Sequence, residues 1–256
     1  MSNKLIALDA GHGLYTSGKR CLKSIDPAET REWSLNSRIA GYVEEMLGAY
    51  DCRVMRVDDI TGVTDVDLGP RVQRANSAKA DLFVSIHHNA GINGGSGGGI
   101  VIYTATAASP VSGILQKTVY DEMIARTGLK GNRSQPIQAY NWYVVKNTSM
   151  PAILIECGFM DSTTDTPIIL TDDYAQKAAQ GIVDGLVKVA GLNRVSGDIA
   201  NEVDPPPAAD EASSWAEEPR RWAVGSGISD GSRPHDTVTR EELWTMLWRR
   251  DHPDEI

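Results

Sequence analysis

Short apolar runs alternate along most of the chain with longer stretches in which apolar residues such as Leu35, Ile39 and Val43 recur at helical spacing. The apolar runs predict β-strands at residues 4–9, 52–57, 81–86, 100–105 and 152–156. The helical stretches cover residues 32–50, 68–80, 114–127 and 173–190, and a further apolar segment, YVVK, lies at residues 143–146. Strands and helices in alternation favour an α/β fold, with a mostly parallel sheet and helices on both of its faces.

The pattern changes after residue 191. Residues 192–213 are polar and acidic, contain three consecutive prolines and have no helical or strand periodicity, so we interpret them as a linker. Residues 1–191 are then the first domain. Residues 214–256 form a separate small module, predicted to be helical, with too few apolar positions to build much of a core.

Charge and composition narrow the range of partners and compartments. The 256 residues carry a formal net charge of -9, with a pI near 5.1 and no cluster of Lys and Arg, which argues against nucleic acid or an anionic membrane as partner. The N-terminal apolar run is too short for a signal peptide, and no segment approaches a membrane span, so we expect synthesis in the cytoplasm. The cysteines, Cys21, Cys52 and Cys157, are interpreted as free thiols.

Three of the predicted strands lead into ionisable side chains. The first leads into His12, the third into His87 and His88, and the run at residues 152–156 ends in Glu156. In an open parallel sheet the carboxyl ends of the strands share one edge, where ligands bind, and Glu32 at the start of the first helix is able to reach that edge. Two histidines and one glutamate form the open ligand set of a catalytic zinc, and a second glutamate then remains free to move protons.

Each of these residues also has a simpler interpretation. A loop histidine such as His12 is most often a surface residue, and the helix dipole favours a glutamate at the position of Glu32 whatever its function. Glu156 is harder to dismiss, because a carboxylate that ends a buried strand is costly to bury unless it is paired or binds a metal. Adjacent side chains of a strand point to opposite faces, so His87 and His88 rarely reach the same metal ion.

Four segments together resemble the zinc-dependent N-acetylmuramoyl-L-alanine amidases of the amidase 3 family. They are IALDAGHG at residues 6–13, EWSLN at 32–36, LGPRVQRANSAKADLFVSIHHNA at 68–90 and PAILIECGFMDS at 151–162. The resemblance covers about residues 4–190 and implies a twisted sheet, one zinc ion (Zn2+), and hydrolysis of the amide that joins N-acetylmuramic acid to L-alanine in bacterial peptidoglycan. It also implies that His12, Glu32 and His87 are the zinc ligands and that Glu156 is the catalytic carboxylate. His88, at the next position, is then a supporting or packing residue.

Two other functions remain open from the sequence. A cysteine hydrolase would use Cys157, next to Glu156, with a histidine as its base. A catalytically impaired cell-wall-binding protein is the second alternative, although all four site residues that the resemblance implies are intact.

The C-terminal segment WAVGSGISDGSRPHDTVTREELWTMLWR, residues 222–249, is similar to the S-layer homology (SLH) motif. Such modules anchor proteins to secondary cell-wall polymers, and the alternative for a single copy is an oligomerisation or packing appendage. A wall-degrading domain with a terminal wall-binding module and no signal peptide favours a phage or prophage endolysin, which reaches the wall after holin-type release. A host autolysin is the alternative.

Overall fold

One six-stranded sheet organises the part of the chain that the structure, a computed structural model, describes: residues 4–195 together with residues 221, 223 and 224. The strands are β1 (Lys4–Ala10), β2 (Cys52–Arg56), β3 (Leu82–Asn89), β4 (Val101–Thr104), β5 (Ile137–Ala139) and β6 (Ala152–Phe159). Their order across the sheet is β2-β1-β3-β6-β4-β5. Neighbouring strands pair in parallel except β4 and β6, which are antiparallel, so β4 and β5 run opposite to the other four. The predicted mostly parallel α/β sheet is therefore confirmed.

The helices lie on both faces of this sheet, as the alternating pattern predicted. They are α1 (Glu32–Leu47), α2 (Leu68–Ser77), α3 (Pro110–Thr127), α4 (Tyr143–Asn147), α5 (Thr166–Ile169) and α6 (Asp172–Ala190). One face packs against α1, α3 and α6 through buried residues that include Leu8, Ile39 and Ile182. The opposite face packs against α2 and α4 through residues that include Phe83 and Val72. None of the described helices combines the length and apolar character that a transmembrane span requires.

Local capping explains where several helices begin and end. Helix α3 starts at Pro110, four residues earlier than predicted, because Ser109 accepts a hydrogen bond from the backbone N–H of Ser112 and proline suits the first turn. Helix α1 ends at Leu47, three residues before the predicted end, with Gly48 as its C-cap. The apolar segment YVVK lies in the short helix α4.

The first structural unit extends slightly beyond the predicted domain end at residue 191. Asn193 exchanges backbone and side-chain hydrogen bonds with Asp51, and the N–H of Val195 donates to the carbonyl of Ala49 at 3.0 Å. Residues 192–195, which the sequence analysis assigned to the linker, therefore belong to this unit, which ends at Val195. The rest of the predicted linker, and the C-terminal module apart from residues 221, 223 and 224, lie outside the described residues.

Candidate active site

His12 lies in the loop after β1, with its backbone in the left-handed region at φ 67°. The glycines on either side of it are required by close contacts. A Cβ at Gly11 would lie 2.0 Å from Cε1 of His87, and a Cβ at Gly13 would lie 2.9 Å from backbone atoms of Asp65. The AGHG motif therefore lets this loop lie directly against its neighbours and places His12 at the edge of the sheet.

The side chains of His12, Glu32 and His87 meet at the carboxyl end of the parallel strands. One potential ligand atom from each lies within 4.8 Å of the other two. Oε1 of Glu32 is 3.4 Å from Nε2 of His12 and 3.1 Å from Nδ1 of His87. The two imidazole rings are perpendicular, with centroids 5.0 Å apart. The structure thus brings together the three residues that the family resemblance implied as ligands.

Glu32 is the first residue of α1, and its side chain is only 1% exposed. Burial raises the pKa of its carboxyl, but the hydrogen bonds with His12 and His87 outweigh burial and hold the pKa well below its usual range. The backbone N–H of His88 also donates to Oε1, at 3.2 Å. Oε2 is buried without a hydrogen-bond partner among the described residues, and Nζ of Lys19 lies 3.7 Å from it. The carboxylate is therefore ionised, with one oxygen left free of donors.

This donor set fits a zinc ion. Two imidazoles and one carboxylate are three protein ligands of the kind that hold catalytic zinc with a coordination position left open. A buried, ionised oxygen that receives no hydrogen bond is costly in a protein interior, and a bound cation would remove that cost. Burial lowers the pKa of His87, although the hydrogen bond with Glu32 more than offsets this and raises it overall.

His88 points away from these three residues, as expected for the neighbour of His87 on a strand. Its Nδ1 lies 2.8 Å from Oδ1 of Asn36, and the side chain is buried between β3 and α1. Burial lowers the pKa of His88 to about 3, so its ring is neutral. Nδ2 of Asn36 in turn donates to the carbonyl of Gly11 at 3.1 Å. His88 and Asn36 therefore support the loop and the helix that carry His12 and Glu32.

Glu156 lies beside His87, at the facing position on the adjacent strand β6. Burial raises the pKa of its carboxyl to about 7. Its Oε2 has no hydrogen-bond partner among the described residues. A carboxyl group that changes its protonation state near neutral pH is suited to accept a proton and to return it.

The position of Cys157 does not favour a cysteine hydrolase. The residue is fully buried and belongs to the apolar cluster on the α1, α3 and α6 face, opposite to Glu156. Burial raises the pKa of its thiol well above the ordinary value, so the reactive thiolate is suppressed.

Comparison with known families agrees with this geometry. The profile of the N-acetylmuramoyl-L-alanine amidase family, Amidase_3, matches residues 6–188, from β1 into α6. The chain belongs to this family. It is therefore an amide hydrolase that acts on peptidoglycan, and the two alternative functions are not favoured.

Individual relatives support the same assignment. The amidase is 32% identical to the endolysin of Bacillus phage SPP1 over an alignment of 210 residues. This alignment covers 81% of this chain and 73% of the endolysin. It is 31% identical to the N-acetylmuramoyl-L-alanine amidase LytC of Bacillus subtilis strain 168 over an alignment of 182 residues. That alignment covers 71% of this chain and 34% of LytC. The crystal structure of the N-acetylmuramoyl-L-alanine amidase from Clostridium difficile 630 matches with a TM-score of 0.67 at 29% identity, over 77% of this chain and 100% of that chain.

One part of the site of this amidase was not singled out by the sequence analysis. Asp9, Ser85 and Arg71 form a buried polar group beneath the loop that carries His12. The signal was present in the sequence, because Asp9 and Ser85 interrupt apolar strands and polar groups inside a core need partners. The identity of their partner, 62 positions after Asp9, is visible only in the structure.

Proposed function

We propose that this amidase binds zinc through His12, Glu32 and His87 and cleaves the amide between N-acetylmuramic acid and L-alanine. The observation that carries the proposal is the convergence of two imidazoles and a buried carboxylate within 4.8 Å, with Glu156 beside them. A zinc ion held in this way supplies a Lewis acid that activates water and polarises a carbonyl at neutral pH.

Glu156 is the proton carrier in this proposal. Its carboxylate accepts a proton from the attacking water. The same carboxyl then donates that proton to the L-alanine nitrogen, which would otherwise leave as an unstable amide anion. The burial of Glu156 supports both steps, because it brings the pKa of this carboxyl close to neutral pH.

The test combines metal analysis with product analysis. His12→Ala, Glu32→Ala and His87→Ala are each expected to lose zinc, whereas His88→Ala is expected to keep most of it. Mass spectrometry of digested peptidoglycan is expected to show new L-alanine amino termini and intact glycan. Zinc retained by His87→Ala but lost by His88→Ala would contradict the ligand assignment, and cut glycan would contradict the reaction.

We further propose an endolysin role, in which the amidase is released to the cell wall and residues 214–256 bind wall polymers. The similarity to the SPP1 endolysin supports the first part, and the SLH-like sequence motif supports the second. The decisive measurement for the tail is sedimentation of full-length and truncated protein with purified walls. Equal pelleting of the two proteins would exclude wall binding by the tail.

A further inference from the structure

A fully buried guanidinium lies beneath the proposed metal site. Arg71 on α2 is 1% exposed, and each of its five N–H groups has an acceptor within 3.1 Å. The acceptors are the carbonyls of Val66 (2.6 Å), Ala10 (2.8 Å) and His12 (3.0 Å), Oδ1 of Asp9 (2.6 Å) and Oδ1 of Asp65 (3.1 Å). Two of these carbonyls belong to the loop that presents His12.

The conformation of this loop needs external support. His12 has φ 67°, which is unfavourable for a residue with a Cβ and persists only where the surroundings enforce it. Three consecutive carbonyls are held by side chains from two different helices. Arg71 donates to Ala10 and His12, and Asn36 donates to Gly11 from the opposite side.

The chain beyond His12 is tied to the same arginine. Nη2 of Arg71 donates to Oδ1 of Asp65, and the other oxygen of that carboxylate accepts a hydrogen bond from the Thr16 hydroxyl at 2.6 Å. The Thr16 hydroxyl oxygen accepts in turn from the N–H of Gly13 at 2.9 Å. The residues on both sides of His12 are therefore anchored through Arg71.

The positive charge of Arg71 is already paired with the buried carboxylate of Asp9. Oδ1 of Asp9 accepts from Nη1 of the arginine, and Oδ2 accepts from the Ser85 hydroxyl at 2.6 Å. The arrangement joins β1, β3 and α2 beneath the site. The contribution of Arg71 to the site is thus geometric, through the carbonyls it holds, and not a positive charge directed at the metal.

We propose that Arg71 is a positioning residue that holds the 10–13 loop so that the His12 imidazole is directed towards Glu32 and His87. This inference rests on the proposed function, because the role of His12 as a ligand is itself proposed. The competing explanation is that the Arg71–Asp9 pair only stabilises the fold. The two explanations differ in one measurable quantity, the zinc affinity of the folded protein.

The test compares Arg71→Lys and Arg71→Met with Arg74→Met as a matched control. Arg74 lies on the same helix and donates to the carbonyls of Val57 and Asp58, away from His12. Lysine keeps the charge beside Asp9, but its ammonium cannot reproduce five fixed donors. Zinc affinity is measured by chelator competition below the melting temperature of every variant, and Co²⁺ spectra report the coordination geometry.

We expect the Arg71 variants to bind zinc about 10- to 100-fold more weakly than wild type, as for other groups that orient metal ligands, with an altered Co²⁺ spectrum. Arg74→Met is expected to match wild type in both measurements. If Arg71→Met does not fold, Arg71→Lys and Asp65→Ala carry the test, since Asp65 is 44% exposed and its removal leaves the core intact. Asp65→Ala is expected to bind a few-fold more weakly.

Wild-type zinc affinity and an unchanged Co²⁺ spectrum in folded Arg71→Lys would overturn the positioning role while leaving the proposed metal site in place. A wild-type protein that binds no zinc would instead overturn the proposed metal site itself. A lower melting temperature with unchanged zinc affinity would assign Arg71 to fold stability alone.

Discussion

Replacing Gly11 with alanine is expected to displace His87 and disable the site. The added Cβ would lie 2.0 Å from Cε1 and 2.3 Å from Nε2 of the His87 ring. Restoring an ordinary contact of at least 3.4 Å requires a relative shift of about 1.4 Å between the ring and the loop. A metal or catalytic site tolerates errors of only about 0.5 Å.

The expected consequences differ in size. A misplacement of about 1 Å costs about 100-fold in turnover, and zinc affinity should fall by at least about 10-fold. The free energy of unfolding should fall by only about 1–3 kcal/mol, as for other overpacked positions, so the variant should remain folded. Chelator competition, turnover of a soluble muramoyl-peptide and thermal melting measure the three quantities separately.

Gly41→Ala is the matched control. Gly41 lies within α1, the helix that carries Glu32, and a Cβ there would meet nothing within 4 Å. Because alanine favours the helix over glycine, this variant should gain about 0.5–1 kcal/mol in stability and keep its zinc affinity and turnover. Wild-type zinc affinity and turnover in Gly11→Ala would refute the close approach of Gly11 to the His87 ring.

Three further predictions follow from the same structure. Glu156→Gln should keep zinc and its melting temperature, but its turnover should fall by about 100- to 10,000-fold, or roughly 3–5 kcal/mol, because the amide cannot carry a proton. Near-normal turnover of this variant would contradict the mechanism. Iodoacetamide should leave activity intact because Cys157 is buried, whereas a metal chelator should abolish it; loss of activity in step with alkylation of Cys157 would restore the cysteine hydrolase. A chain ending at Val195 should cleave soluble muropeptides at the full-length rate. A chain ending at Gly191 should melt at a lower temperature, because it lacks the contacts of residues 193 and 195 with residues 49–51. Identical melting curves for the two chains would show that those contacts do not stabilise the fold.

The central part of the fold was predictable because its strands are continuous apolar runs. Strands β1, β3 and β6 are buried on both faces, and such strands are recognisable by composition alone. Strand β5 was missed because it has only three residues and lies at the sheet edge, with Ile137 exposed. The reversed direction of β4 could not be predicted from the sequence either, because an apolar run does not indicate which strand it will pair with.

The candidate site was likewise predictable from the sequence only in part. The alternation of side chains along β3 separated His87 from His88, and the structure places them on opposite faces as that argument required. The contact of Gly11 with His87 and the hydrogen bonds of Arg71 to residues 9, 10 and 12 could not be predicted in detail, because each joins segments more than 50 positions apart. Whether the four site residues bind metal and carry protons stays a prediction for the experiments described above.

The facing positions of His87 and Glu156 on β3 and β6 have a consequence for engineering. Adjacent strands lie about 4.8 Å apart, a spacing set by backbone hydrogen bonds and independent of loop length. Changes in the segment of residues 14–31 should therefore leave the spacing of this pair undisturbed. An insertion of one residue within either strand would turn the two side chains to opposite faces of the sheet. The spacing of His87 and Glu156 is thus a property of the sheet and not of the loops around it.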